Sequence, residues 1–201
     1  MVKLDRSFYL KDTVTVARQL LGKLLVHEVD GKRISGIIVE TEAYLGTIDR
    51  AAHSFGGRRT PRNEVMYGLG GHAYIYFIYG MYYCFNVVTG HEGVPEAVLV
   101  RALEPVEGLD FMAAARYKND YEPLSNRQRI NLTNGPGKLC IALAIDRSLN
   151  GEDLCGSRIY IEDRADIPDI CSAKRIGIDY AGDDRELPLR FYLRNNKYVS
   201  K

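Results

Sequence analysis

The sequence predicts an α+β domain built on a largely antiparallel sheet, with helices interspersed among the strands. Three observations indicate this class: an Asp-Gly pair between two apolar runs, a second apolar run bent near a glycine, and helical periodicity confined to short segments. The length of 201 residues suits one sizeable domain, and no repeat, low-complexity tract or long linker divides it. We therefore expect residues 1–201 to form a single domain.

The N-terminal third predicts a helix, a hairpin and a long loop. Asp12 can cap the helix, because its side chain can accept from a free N–H of the first turn. The pair Asp30-Gly31 between apolar runs is a strong signal for a tight hairpin turn. The predicted elements are a helix over residues 13–21 ended by Gly22, strands over 24–29 and 34–41, and a functional loop over 46–71 that is rich in Gly, Arg and polar groups.

The rest of the chain predicts more strands and two further helices. Tyrosines and β-branched residues dominate a run broken only near Gly80, which indicates a second hairpin. Pro136 suits the first turn of a helix, where a missing N–H costs nothing. The predicted elements are the hairpin over residues 72–88, strands over 97–102, 158–162 and 189–193, helices over 109–117 and from Pro136 to about Ile145, and an irregular polar segment over 119–133.

Composition excludes several classes of protein. No apolar run reaches the length of about 18 residues that a bilayer crossing needs, and the N-terminus lacks the apolar core of a secretion signal. The four cysteines are too widely spaced for a structural zinc site, so we expect no metal. A net charge of +1 limits any contact with nucleic acid to a local basic patch. We expect a soluble cytoplasmic protein.

Two acids stand where the second predicted strand ends. Glu40 and Glu42 are two residues apart, so both point to the same face if the strand continues. Such a pair could serve as the acid and base of a hydrolase. A solvated strand end has the same pattern, and the spacing alone favours it.

The loop beyond these acids combines a histidine with a cluster of arginines. His53 is accompanied by Arg50, Arg58, Arg59 and Arg62. Guanidinium groups bind phosphates through several donors, so the cluster could grip a nucleic-acid backbone. Arginines in such clusters also form structural ion pairs, and the sequence leaves both interpretations open.

The second hairpin carries more aromatic surface than a hairpin needs. Alternation places Tyr74 and Tyr76 on one face and Phe77 on the other. We expect Tyr74 and Phe77 to lie in the core. Tyr76 could stack on a planar base, and Tyr79, beside the bend, could project as a wedge between base pairs.

Together these segments resemble the alkyladenine (3-methyladenine) DNA glycosylase family, in the family's order and over nearly the whole chain. Several of the matching stretches are long and chemically unusual, which makes a chance match implausible. They are residues 39–46 (VETEAYLG), 51–54 (AAHS), 56–63 (GGRRTPRN), 78–82 (IYGMY), 99–105 (LVRALEP), 134–140 (NGPGKLC), 175–177 (RIG) and 187–192 (LPLRFY). The resemblance implies a fold like the C-terminal domain of formyltransferases, with a protruding β-hairpin that inserts into DNA.

The resemblance also implies roles for individual residues. Glu42 matches the general base that activates the attacking water, and Arg101 the residue that helps to hold that water. Glu40 matches no catalytic position, so we expect one catalytic carboxylate. The implied base-binding pocket comprises Tyr44, Ala51, His53, Tyr76, Asn86 and Ile176, with Asn86 discriminating against the amine of normal guanine and the Ile176 carbonyl beside the water. Tyr79 and Met81 match the intercalating hairpin tip, and Arg58, Arg59, Arg62 and Lys138 are expected to contact the DNA backbone.

The implied activity is that of a monofunctional DNA glycosylase of base excision repair. It would flip alkylated or deaminated purines of the 3-methyladenine, 7-methylguanine and hypoxanthine class out of duplex DNA and hydrolyse the N-glycosidic bond. We expect no cofactor, a monomer, and association with the nucleoid if the source is bacterial. The alternatives are a small-molecule enzyme on the same scaffold, acting on nucleosides or in formyl transfer, and a damage sensor that binds without cutting.

Overall fold

The computed structural model describes residues 2–164 and 169–200, which form an antiparallel sheet with helices packed against it. The strands follow the order β3-β4-β5-β2-β1-β6, and β8 pairs with both β2 and β7. The strands are β1 (Leu24–Val29), β2 (Lys32–Tyr44), β3 (Ala73–Ile78), β4 (Tyr82–Thr89), β5 (Glu96–Glu107), β6 (Ile159–Glu162), β7 (Ile170–Ala173) and β8 (Arg190–Leu193). The helices are α1 (Arg6–Tyr9), α2 (Thr13–Gln19), α3 (Leu109–Tyr117), α4 (Asn126–Ile130) and α5 (Pro136–Ala142).

The predicted α+β class and antiparallel sheet are confirmed. The first hairpin turns at Asp30 and Gly31, whose φ values of 49° and 73° are the left-handed backbone conformations that a tight hairpin turn requires. Strand β2 runs three residues past its predicted end at residue 41. It does so because β5 pairs with it as far as Tyr44 and β8 pairs with it from Glu40 to Glu42. This pairing buries polar side chains whose sequence pattern is typical of a solvated strand end.

The second predicted hairpin is formed by β3 and β4, with the turn at Tyr79 and Gly80. Tyr74 is buried, as predicted, but the prediction that Phe77 lies in the core is wrong. Phe77 is 48% exposed because it pairs with Tyr83 near the hairpin tip, beyond Asn86, where the pairing of β4 with β5 begins. Its ring packs on that of Tyr83, at 5.0 Å between ring centroids.

The helices pack on the sheet around one large apolar cluster. The predicted cap of α2 is confirmed, since the Asp12 carboxylate accepts from the backbone N–H of Thr15 at 2.9 Å. Helix α3 has its predicted bounds, whereas α5 ends three residues early, before Ala144 adopts a positive φ of 52°. The segment predicted to be irregular contains α4, which begins with a capping box between Ser125 and Gln128. Further elements that were not predicted are α1, β7 and five short 3₁₀ helices: Gly46–Ile48, Phe55–Gly57, Glu64–Tyr67, Arg147–Leu149 and Asp179–Glu186.

Within the described part of the chain, none of the helices has both the length and the apolar character that a membrane crossing requires.

Candidate active site

Glu42 lies at the end of β2, between β5 and β8, with its side chain completely buried. Three donors compensate the negative charge of this buried carboxylate. Its Oε2 accepts from the Tyr44 hydroxyl at 2.8 Å, and its Oε1 accepts from the backbone N–H of Ile176 at 2.7 Å. The same Oε1 lies 3.4 Å from Nη1 of Arg101 on the neighbouring strand β5. Strand pairing and a loop thus hold the carboxylate in one position.

Burial raises the pKa of Glu42, while Arg101, the Ile176 N–H and the Tyr44 hydroxyl each oppose that rise. A carboxylate with a raised pKa is a stronger base than one in water. It is therefore suited to accept a proton from a reacting water near neutral pH. The geometry thus makes Glu42 a candidate general base.

Glu40 is buried as well, so the interpretation of the two acids as a solvated strand end is wrong. One of its oxygens, Oε1, lies 3.3 Å from Nε of Arg101 and 2.9 Å from Nη1 of Arg190. The backbone N–H of Ser200 donates to the other oxygen at 2.7 Å. Arg101 therefore lies between the two acids, and Glu40 is on the side of it that faces away from Glu42.

A small inner pocket lies beside Glu42. It brings together five of the six predicted pocket residues: Tyr44, Ala51, His53, Tyr76 and Asn86. Ile176 does not line it but reaches the site through its bond to Glu42. The volume of about 40 Å³ holds about three waters. Four further wall residues were not predicted from the sequence: Met66, Tyr74, Ala97 and Tyr180.

His53 is held edge-on against the aromatic wall of this pocket. Its Nδ1 lies 2.8 Å from the Tyr74 hydroxyl, and its ring centroid is 4.6 Å from that of Tyr76. Burial, with the nearby charges of Arg62 and Arg58, lowers the pKa of His53 to about 4. His53 is therefore neutral at physiological pH, and its ring offers a fixed polar contact rather than a charge.

Two of the pocket tyrosines, Tyr44 and Tyr76, each carry an arginine over the ring. The Arg175 guanidinium lies 4.8 Å from the Tyr44 centroid, and that of Arg62 lies 5.1 Å from the Tyr76 centroid. These contacts fix the ring planes and use part of the attraction that an aromatic face has for a cation. Asn86 is fixed as well, because its amide nitrogen donates to the Tyr74 carbonyl at 3.0 Å.

A buried ion pair holds the loop that forms one side of the pocket. Asp49 accepts from both terminal nitrogens of Arg175, at 2.5 and 2.9 Å, and also from the backbone N–H of Ala51. Arg175 donates in addition to the Ala43 carbonyl at 3.0 Å. Neither partner was predicted from the sequence, where an Asp and an Arg 126 positions apart give no sign of pairing.

An open cavity of about 360 Å³ adjoins the inner pocket and shares Ala51, His53 and Tyr180 with it. The arginines of the loop differ in their contacts. Arg59 is paired with Glu64, and Arg62 donates to the Phe77 carbonyl at 3.2 Å. No hydrogen bond or ion pair of the Arg58 guanidinium occurs within residues 2–164 and 169–200. Arg50 and Arg58 both line the cavity and give its mouth a positive charge.

The remaining predicted contacts lie outside the pocket. Tyr79 and Met81 are 79% and 63% exposed at the tip of the β3–β4 hairpin. Lys138, in α5, donates to the side-chain oxygens of Asn131 and Asn134 at 3.0 and 2.8 Å. Their roles in DNA binding stay predictions. Among the described residues, no group of three or more His, Cys, Asp or Glu side chains is placed to hold a metal ion.

A buried carboxylate that can accept a proton, close to an aromatic pocket, is typical of enzymes that act on the nucleobase of a nucleotide. Residues 7–197 match the family Methylpurine-DNA glycosylase, and the chain belongs to that family. Similar proteins include one of Desulfitobacterium hafniense, 58% identical over 100% of this chain and 99% of its own length. Another, of Clostridium acetobutylicum, is 54% identical over 99% of this chain and 98% of its own length. Both are named as 3-methyladenine DNA glycosylases. The protein is thus a DNA repair hydrolase that acts on N-glycosyl bonds in DNA.

Proposed function

We propose that this protein excises alkylated or deaminated purines, of the 3-methyladenine, 7-methylguanine and hypoxanthine class, from duplex DNA. The damaged nucleotide is flipped out of the helix, and a water activated by Glu42 hydrolyses its N-glycosidic bond. The observation that carries this proposal is the position of Glu42, a buried carboxylate that is bonded to Arg101 and to Tyr44, a wall residue of the aromatic pocket. The family and the names of the relatives agree with it.

Flipping needs a group that fills the space left in the duplex. Tyr79 suits this task, because it stands exposed at the end of a hairpin and its insertion would replace the lost stacking. Met81 would widen the apolar tip. Positive charge at the mouth of the outer cavity would attract the phosphates that flank the flipped nucleotide. Extrusion costs a few kcal/mol, least for a damaged or mispaired base, which contributes to selectivity.

The pocket would hold the base by stacking and shape. The rings of Tyr44 and Tyr76 supply flat surfaces, and neutral His53 supplies a polar contact from the edge. Asn86 would reject the exocyclic amine of guanine as a fixed part of the wall, since its amide is anchored to a backbone carbonyl.

In the chemical step the oxygen of water bonds to the anomeric carbon of the sugar, and the proton of the water passes to Glu42. The electron pair of the N-glycosidic bond leaves with the base. Alkylation at a ring nitrogen makes the base cationic, so it departs as a neutral molecule. Hypoxanthine, which carries no such charge, departs as an anion and then takes up a proton from solvent. The ionised carboxylate also stabilises positive charge on the sugar in the transition state. Arg101 and the Ile176 carbonyl would hold the water.

The test is excision from duplex DNA that contains 3-methyladenine or hypoxanthine, with wild type and Glu42→Gln. We expect base release to be lost in the variant while lesion binding is kept, because the amide preserves shape but cannot accept the proton. Glu162→Gln is the matched control, since Glu162 is also a nearly buried, arginine-paired glutamate but lies on β6. A wild type that releases no base from any lesion tested would contradict the proposal.

Two further tests define the reaction class. Borohydride should trap no protein–DNA Schiff base, because water rather than a lysine amine is the proposed nucleophile. Release from duplex DNA without release from the free nucleoside would exclude the small-molecule alternative. We also expect a monomer by light scattering, since one flipped nucleotide needs one pocket, and a cytoplasmic protein at the nucleoid of a bacterial cell, where its substrate is.

A further inference from the structure

Residues 198–200 fold back onto the buried ion pairs behind the pocket. Tyr198 is buried against Val39 and Ala102, which anchors the segment to the sheet. Beyond it, Ser200 donates to both oxygens of Glu40, from its backbone N–H at 2.7 Å and from its hydroxyl at 2.9 Å. Ser200 is therefore bonded to a buried acid in the interior of the sheet.

Arg101 is held from three sides as a result. Its Nε lies 3.3 Å from Glu40 and its Nη1 3.4 Å from Glu42. Its Nη2 donates to the Ser200 hydroxyl oxygen at 3.5 Å. An arginine side chain has several rotatable bonds, and one contact to Glu42 would leave most of them free. The contacts to Glu40 and Ser200 remove that freedom.

We propose that Glu40 and Ser200 are positioning residues of the glycosylase reaction, which fix Arg101 so that one of its nitrogens stays on the catalytic carboxylate. Both residues contact Arg101 rather than Glu42, and neither lines the inner pocket or the outer cavity, so we expect both to act through Arg101. Ser200 thereby acts on Glu42 through two contacts in series, the first to Arg101 and the second from Arg101 to Glu42. This inference rests on the proposed role of Glu42 as the base.

Charge gives the proposal a specific signature. Glu40 raises the pKa of Glu42 through like-charge repulsion, and it shares the positive charge of Arg101. When Glu40 loses its charge, Arg101 compensates Glu42 alone and the pKa of Glu42 falls. The other titratable or charged groups that face Glu42 are Tyr44, Tyr76, Cys84, Arg175 and Tyr180, and Glu40→Gln alters none of them.

The experiment measures single-turnover excision of hypoxanthine from duplex DNA against pH, with wild type, Glu40→Gln and Glu162→Gln. For Glu40→Gln we expect the acid limb of the profile to move to lower pH and the plateau rate to fall about tenfold, as for residues coupled through one ion-pair network. Lesion affinity should stay within about twofold of wild type, because Glu40 and its partners lie outside the pocket. Glu162→Gln, which also weakens an arginine pair of a nearly buried glutamate, should leave the limb in place.

Conservative variants separate positioning from folding. Glu40→Asp keeps the charge, so it should return the acid limb to its wild-type position. Ser200→Ala keeps the backbone N–H and removes only the hydroxyl that joins Arg101 to Glu40, so it should lower the plateau less than Glu40→Gln does. If Glu40→Gln fails to fold, the plateau rate of Ser200→Ala tests the inference instead. When the wild type is active, an unmoved acid limb in Glu40→Gln or an unchanged plateau rate in Ser200→Ala overturns this inference and leaves the proposed function intact. An inactive wild type overturns the proposed function itself.

Discussion

The hydroxyl of Tyr44 donates to Oε2 of Glu42 at 2.8 Å, across the two-residue spacing that places both side chains on one face of β2. The Tyr44 ring is at the same time a wall of the inner pocket. One side chain therefore connects the surface that would stack on a base with the carboxylate that would activate water. Any movement of Tyr44 that admits a base also changes the hydrogen bonding of Glu42.

Tyr44→Phe should shift the pH dependence of excision upward. The hydroxyl stabilises the ionised form of Glu42, so its loss raises the pKa of Glu42 and activity disappears at higher pH as the solution is acidified. A hydrogen bond to a charged group contributes about 1.5 kcal/mol, so the rate below the wild-type acid limb should fall about tenfold. Single-turnover rates between pH 5 and 9 measure this.

The control for that variant is Tyr117→Phe, which also removes a hydroxyl donor. The Tyr117 hydroxyl donates to the Gln128 carbonyl at 3.2 Å, and both residues lie outside the site. Its pH profile should match wild type. An acid limb that stays in place or moves downward in Tyr44→Phe would show that the hydroxyl does not stabilise the ionised base.

His53 should remain neutral across the working range of the enzyme. Its pKa is lowered to about 4 by burial and by Arg62 and Arg58, so the native state binds fewer protons than the unfolded chain between pH 4 and 6.5. Its contribution therefore makes the protein less stable as pH falls below 6.5. NMR titration of the imidazole, assigned with His53→Gln, measures the pKa directly. A His53 signal that titrates between pH 6 and 7 would contradict a neutral pocket.

Asp49→Asn should destabilise the fold strongly, by about 3 kcal/mol, because it leaves the buried Arg175 charge without its partner. Denaturant unfolding measures this free energy. Glu64→Gln breaks the exposed pair with Arg59 and should leave the unfolding midpoint unchanged. Equal effects of the two substitutions would mean that the buried pair is not what holds the pocket loop.

Much of the fold was predictable because its signals are local. The Asp30-Gly31 turn and the Asp12 cap each depend on residues a few positions apart, and both are present as predicted. The errors came from tertiary context. The burial of Glu42 depends on β8, more than 140 residues away in sequence, and the exposure of Phe77 depends on its position beyond the part of β4 that pairs with β5.

The residues of the site were predictable only in part. The family resemblance predicted the residues that line the pocket, and the structure brings Tyr44, His53 and Tyr76 together there. The groups that support these residues were not predicted. Arg175 and Ser200 act through partners more than 100 residues distant, at 2.5 Å from Asp49 and 2.7 Å from Glu40. No spacing rule in a single sequence relates such positions.

Tyr79→Gly should remove excision from paired duplex without a large change in stability. Tyr79 has a φ of 54°, and relief of that strain contributes about 1 kcal/mol, which offsets the extra entropy of glycine in the unfolded chain. Activity should fall least on a lesion opposite a gap, where less stacking must be broken. Asp30→Gly, at a positive φ in the other hairpin, is the control and should excise like wild type. Equal losses on paired and unpaired lesions would argue against a wedge.

Arg58 and Arg59 should differ in their effect on DNA binding although they are adjacent. Arg59 is paired with Glu64, so much of its charge is already compensated, whereas the Arg58 guanidinium lines the outer cavity without a hydrogen bond or ion pair in the described part of the chain. Removal of one phosphate contact lowers the slope of log K against log salt by about 1. We therefore expect Arg58→Ala to reduce the slope by about 1 and Arg59→Ala to reduce it far less.

The measurement is lesion-duplex affinity between 50 and 200 mM salt by fluorescence anisotropy. Glu64→Gln completes the comparison, because it releases Arg59 from its partner without removing a cation. If Glu64 is what withholds Arg59 from DNA, this variant should bind more tightly and show a steeper slope than wild type. Identical slopes in Arg58→Ala and Arg59→Ala would mean that ion pairing in the free protein does not decide which arginine meets the phosphates. DNA binding would then rearrange this loop, and the contacts of the free protein would not predict the DNA interface.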